Sequence, residues 1–223
     1  MITPPAPTSF TEKDFEILAR KVVHEGIFRY VKYELRHKLF KGGWTPVLQR
    51  EVVERTSAAG ILPYDPILDR VVLISQFRVG AISHLTTPPS SAKTSPWLLE
   101  IVAGILGHEE KPEAVALREA QEEAGCRILE LYPIHDYFVS PGGSNEYIHL
   151  YCGRIDASHL SANHGLEEEN EDIFALILPV DEAFEWLRQG KIKTAPALMA
   201  LQWLQINRNF LRDFWFKKNT LSG

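Results

Sequence analysis

The stretch "KPEAVALREAQEEAGC", residues 111–126, limits the possible folds more than any other. Pro112 suits the first position of a helix and Gly125 the residue just past its end, so a helix is predicted over residues 112–124. At about 100° per residue, Ala116, Leu117, Ala120 and Ala124 share one arc, and Glu119, Glu122 and Glu123 share the neighbouring one. Side chains that small let a helix lie close against a sheet, and the flanking sequence supplies one. "SAAGILPYD" and "DRVVLISQFRV" are almost continuously apolar, as strands covered on both faces are, and "YDPILD" between them is turn-like. "ILELYPIHDYF", "YIHLYCGRI" and "IFALILPV" read as further strands, while "VDEAFEWLRQG" and "APALMALQWLQINRNF" close the chain as helices. The expected class is α/β with a mixed sheet.

Ahead of that core the pattern differs. Residues 1–10 are Pro-rich and read as a loose tail. Between Val22 and Arg55, "IFRYVKYELRHKL" and "VLQREVVER" alternate apolar and polar residues around the turn "FKGGWTP", which predicts an antiparallel β extension. "SHLTTPPSSAKTSPW" is a polar, Pro/Ser-rich surface loop. The expected organisation is a tail and β extension over 1–56, the main domain over 57–208 and a C-terminal tail over 209–223.

Composition removes several function classes. A net charge of −5 and a pI near 5.9 provide no basic field for nucleic acid or an anionic membrane surface. The amino terminus lacks the basic start and apolar run of a signal peptide, and no stretch is apolar for the roughly 18 residues of a membrane span, so the expected setting is cytoplasmic. The two cysteines, Cys126 and Cys152, are not spaced as a zinc site or a disulfide framework. There is no GxGxxG, GxxxxGK[ST] or GxSxG, and "HEEKP" lacks the second histidine of a zinc protease.

What remains is the crowd of carboxylates. Glu119 and Glu123, four residues apart on a helix, repel by a few tenths of a kcal/mol. Arg118 reaches Glu122 at i+4, but one guanidinium cannot neutralise three glutamates. Divalent cations would, and oxygen ligands at this density suit magnesium, with manganese as a substitute. The competing reading is a solvated acidic helix.

The spacing decides between them. Gly104, five residues, Glu110, seven residues, then Arg118, Glu119, Ala120, Gln121, Glu122, Glu123, Ala124, Gly125 and Cys126 together resemble the box of the Nudix hydrolase family, with cysteine at a packing position. The resemblance extends over most of residues 12–206 and is closest to the ADP-ribose pyrophosphatase branch. Pro141, fifteen residues past Cys126, "WLLEIVAGIL" before the box and the acidic "HGLEEENEDI" at 164–173 all match that branch.

The resemblance implies an α/β/α Nudix sandwich, magnesium-dependent hydrolysis of ADP-ribose to AMP and ribose 5-phosphate, and a homodimer built through the N-terminal extension. It assigns metal ligation to the Ala103 carbonyl and to Glu119, Glu123 and Glu171. Glu122 becomes a further ligand or a group that Arg118 orients, and Glu169 the general base, with Glu168 as the neighbouring choice. Arg50, Arg55 and Arg78 map to substrate-contacting positions, Ser140 and Glu146 to a loop walling the site, and Phe28 or its neighbour Ile27 to the adenine. A different nucleotide sugar or dinucleotide as substrate, or a non-catalytic ADP-ribose sensor, are the rival functions.

Overall fold

The computed structural model describes residues 10–83, 95–160, 163–164 and 172–220. It divides into two compact units, Met1–Thr56 with Phe138–Tyr147, and Ser57–Tyr137 with Ile148–Gly223.

In the first unit, strands β1 (Phe15–Glu25), β2 (Arg29–His37) and β3 (Leu48–Glu54) form an antiparallel sheet in that order. Gly42 and Gly43, at φ +85 and +81, supply the left-handed backbone of the turn before β3. β1 begins at Phe15, upstream of the expected Val22, and the sequence hid it for a physical reason. Its register slips between Ile17 and Ala19 and again between Val22 and His24, so no period-2 alternation survives. The segment 138–147 is tied to β3, where Val53 N donates to the Gly143 carbonyl at 2.9 Å and Asn145 N to the Val53 carbonyl at 3.3 Å.

The second unit is built on an eight-stranded mixed sheet. Its strands are β4 (Ala58–Asp65), β5 (Arg70–Phe77), β6 (Trp97–Glu100), β7 (Val102–Ile105), β8 (Glu130–Phe138), β9 (Tyr147–Arg154), β10 (Asn163–His164) and β11 (Ile173–Pro179). β4 and β5 pair only at Tyr64–Val71 and Asp65–Arg70 and then part. β6 takes the vacated edge of β5, β7 takes that of β4, and β9 runs parallel to β4 on its other side.

All eight residues of β4 are buried, as the apolar run requires. Alternation sends Ala59 and Ile61 into one core with Val115, Ala116, Ala120 and Ala124 of α1 (Pro112–Ala124). Leu62 and Tyr64 enter a second core with α2 (Val180–Arg188) and α3 (Ala195–Thr220). Helices therefore cover both faces, which is the expected α/β/α sandwich.

The C-terminal segment departs from expectation. α3 continues through position 209, and Leu211 and Trp215 are buried, so the stretch assigned to a tail belongs to the core. Arg208 fastens this helix. It donates to Asp69 Oδ1 at 3.0 Å and to Asp181 Oδ1 at 2.7 Å. Among the described residues no helix is long and apolar enough to cross a membrane.

Both cysteines are free and buried. Burial pushes the Cys126 thiol up to about 12 and shifts Cys152 in the same direction, so at pH 8 neither is a thiolate. A thiol-reactive disulfide such as DTNB is expected to leave the native protein unlabelled over minutes and to titrate both cysteines after denaturation. Rapid labelling of the native state would show an opening of the core that this packing does not contain.

Candidate active site

The acidic helix sits where its ends place it. Pro112 occupies the first turn, and Gly125 at φ +60 ends the helix, with Cys126 N donating to the Ala120 carbonyl at 2.8 Å. The arc facing the sheet is Val115, Ala116, Ala120 and Ala124, all 0% exposed. Leu117, expected in that arc, is 44% exposed, and Val115 takes its place. The buried arc thus runs from Ala116, Ala120 and Ala124 round through Glu123 to Val115.

That rotation brings two carboxylates down onto β7. Glu123, only 4% exposed, accepts from the Ala103 N–H at 3.1 Å. Glu119 lies across Gly104 so closely that a Cβ there would fall 1.8 Å from Oε1, so any side chain at this position would displace the glutamate. Ala103, Glu119 and Glu123 are therefore gathered along one strand and one helix turn. Glu171 and Glu169 lie outside the described residues, as does Glu168. Among the described residues no three His, Cys, Asp or Glu side chains form a metal-holding group. The donors at β7 are hard oxygens, one of them a buried carboxylate that accepts from a backbone N–H, and this set fits a magnesium-type cation.

Arg118 and Glu122 stand beside this pair. The guanidinium lies 2.8 Å from Glu119 Oε1, 2.9 Å from Glu122 Oε2 and 3.4 Å from Glu110 Oε1. Burial works against its charge, and the surrounding carboxylates outweigh that, raising its pKa. Glu110 also accepts from the Gly107 N–H at 3.0 Å, closing the loop that leads into α1. Glu110 is one of the spaced positions of the box, and the structure gives it the role that spacing alone does not.

The predicted substrate residues fall into separate groups. In the first unit, the Arg55 guanidinium stacks 4.8 Å from the Phe28 ring centroid and pairs with Glu146 at 3.2 Å, while its backbone N–H donates to Asn145 Oδ1 at 2.7 Å. Phe28 is 43% exposed, whereas Ile27 is 94% exposed. Asn145 was not anticipated, since a lone Asn in a Gly-rich loop carries no local pattern. Arg50 lines a groove of about 540 Å³ with Lys21, Lys32, Tyr33 and Gly142. Ser140 is exposed, and its carbonyl accepts from Gly143 and Ser144 to shape the loop. Arg78, in the second unit, donates twice to Glu100, at 3.1 and 2.8 Å.

One further residue escaped the sequence reading. Gln76 on β5 is 7% exposed, and its Nε2 has no hydrogen-bond partner among the described residues. A buried donor left so costs about 1–3 kcal/mol.

Comparison with known proteins adds to this geometry. The NUDIX domain pattern matches residues 54–200. The chain is 42% identical over 206 residues to an ADP-ribose pyrophosphatase of Haemophilus influenzae, covering 92% of this chain and 93% of that one. It is 41% identical over 209 residues to the ADP-ribose pyrophosphatase of Escherichia coli K12, covering 94% and 96%. Similarity to a GDP-mannose pyrophosphatase of Cronobacter sakazakii is lower, 35% over 193 residues, covering 86% and 95%.

The Glu110 carboxyl is held below its ordinary range first by the Gly107 N–H, against the opposing pull of burial, and then by Arg118. A depressed carboxyl pKa contributes stability that is present at neutral pH and lost as pH falls through the lowered value. In Arg118→Met, a carbon-detected NMR titration is expected to show the Glu110 pKa rising yet remaining below the ordinary carboxyl range, with that loss moved to higher pH. A return to the ordinary range would make Arg118 the dominant partner.

Proposed function

The chain belongs to the Nudix family, and on that premise we propose that it hydrolyses the diphosphate of ADP-ribose to AMP and ribose 5-phosphate, with magnesium as the metal. The observation that carries the substrate assignment is similarity at 41–42% identity to two ADP-ribose pyrophosphatases along more than nine-tenths of the chain. The GDP-mannose relative at 35% identity favours another nucleoside diphosphate sugar as the second reading.

Glu119, Glu123 and the Ala103 carbonyl would hold magnesium, joined by Glu171 from the acidic loop. Bound there, the metal supplies charge neutralisation at the diphosphate and a lowered pKa for water, and manganese can replace it. The chain's own residues do the rest. Arg118 holds Glu119 and Glu122 in place against their mutual repulsion, and the gap at Gly104 gives Glu119 its position. Glu169 takes a proton from the attacking water. Oxygen adds to phosphorus, the bridging P–O bond breaks, and two phosphate monoesters leave. Arg50, Arg55 and Arg78 bind phosphate and ribose oxygens, where a planar guanidinium can fork two of them. Ser140 and Glu146 wall the site, and Phe28 meets the adenine face.

The active form in this reading is a homodimer joined through the N-terminal β extension, and the enzyme is cytoplasmic. Support for the dimer comes from β1, where Phe15, Ile17, Leu18, Val22 and Val23 are exposed, an unusual apolar density for an edge strand. Support for the compartment comes from two buried cysteines that form no disulfide.

A panel of nucleoside diphosphate sugars and dinucleotides, scored for phosphate monoester release with magnesium, tests the proposal. ADP-ribose should have the highest kcat/KM, and excess EDTA should abolish turnover. A clear preference for GDP-mannose would install the second reading. Gly104→Ala should remain folded, because the added methyl can push the flexible Glu119 side chain aside, yet lose at least about tenfold in kcat/KM through the displaced carboxylate. Unchanged activity would remove Glu119 from the site.

Glu169→Gln keeps size and hydrogen bonding but not proton acceptance, so kcat should fall about 10²–10⁴-fold with KM little changed. A kcat within a few-fold of the parent, with Glu168→Gln impaired instead, would move the base to Glu168.

A further inference from the structure

Among the described residues, three buried side chains carry a carboxylate or carboxamide: Asp65, Gln76 and Glu123. Asp65 accepts from the backbone N–H groups of Ile67, Leu68 and Ala157, and Glu123 accepts from Ala103. Gln76 differs, because its Nε2 has no partner there. Buried amide donors are almost always paired, so one left open in the ligand-free protein marks a place where an acceptor arrives.

Strand alternation fixes the direction. On β5, Val71 and Leu73 enter the core of α2 and α3, whereas Val72 and Ile74 enter the core of α1. Gln76 continues the second row, and Arg78 is the next residue on it. Across the ladder Gln76 faces Leu98, and Ile74 faces Glu100, the carboxylate that grips Arg78. From Leu98 the chain reaches Ala103 in five residues, about 16 Å of extended backbone. The open donor therefore lies on the sheet face covered by α1, the helix that carries Glu119 and Glu123, and in one row with a guanidinium.

We propose that Gln76 is a substrate-binding residue whose carboxamide N–H donates to a phosphate oxygen of the bound nucleotide sugar. This rests on the functional reading above. An uncharged donor suits the position: it recognises an anionic oxygen strongly once water is excluded, and it adds no charge that would have to be desolvated in the empty enzyme.

The test uses Gln76→Met, similar in size but without a donor, and Gln76→Glu, which replaces donors with acceptors. The ligand is the α,β-methylene analogue of ADP-ribose, which cannot be cleaved at the bridge. Ligand-free Gln76→Met should melt at or above the parent temperature, because it removes an unsatisfied polar group. Its Kd for the analogue should rise about tenfold, the value of one hydrogen bond to a charged oxygen. Gln76→Glu should bind more weakly still, since a carboxylate would face the phosphate.

A fall in the ligand-free melting temperature of Gln76→Met shows a structural amide and overturns the proposal whatever the Kd. Parent-like affinity in that variant overturns it as well and leaves the functional reading intact. Failure of the parent to bind the analogue brings down the functional reading, and this inference with it.

Discussion

The parting of β4 and β5 after two residue pairs is the constraint on which the second unit depends. Two strands that stayed paired would bury their ladder groups against each other. Here the free edges must find other partners, and the chain returns as β6 and β7 to provide them. β7 is consequently held at full hydrogen-bonding register beneath α1. Its backbone then becomes part of the chemistry: one N–H receives the buried Glu123, and the next residue, lacking a side chain, receives Glu119. The position of two carboxylates is thus set by backbone pairing, which is stiffer than any side-chain contact.

The same design stores electrostatic tension. A buried carboxylate is a costly element in a folded protein, and three glutamates share the guanidinium of Arg118. Close packing of Val115, Ala116, Ala120 and Ala124 offsets this, since each wholly buried apolar group contributes on the scale of about 25 cal/mol per Å² removed from water. Small alanines contribute less area than leucines would, but larger side chains would lift the helix from the sheet and the glutamates from β7. Stability is given up where the site needs proximity.

How much of this could be seen in the chain follows from which signals are local. The helix over 112–124 was legible to the residue because both its ends are marked by Pro112 and Gly125. Its rotation was not, because Val115 and Leu117 flank Ala116 about 100° to either side on an idealised wheel, and only the sheet decides which is buried. β1 was obscured by its two register slips, and the last helix turns by their aromatic and charged composition, whose partners lie far away at Tyr64 and Asp69. The glutamates and their arginine were readable from spacing, but Glu110 as a third partner of Arg118 required the loop geometry. Gln76 gave no signal at all: one glutamine in a strand looks like any other until its surroundings are known.

Trp215 packs beside Tyr64, with ring centroids 6.1 Å apart, and Arg208 binds Asp69 in the turn after β4. Contacts between residues so distant in sequence form late, after the cost of closing the intervening loop. During synthesis on the ribosome, the sheet would therefore emerge with one face unsheltered, and would stay so until α3 had followed it out of the exit tunnel. The nascent protein thus has a built-in interval in which a chaperone has apolar surface to hold, and the final helix ends that interval by covering it.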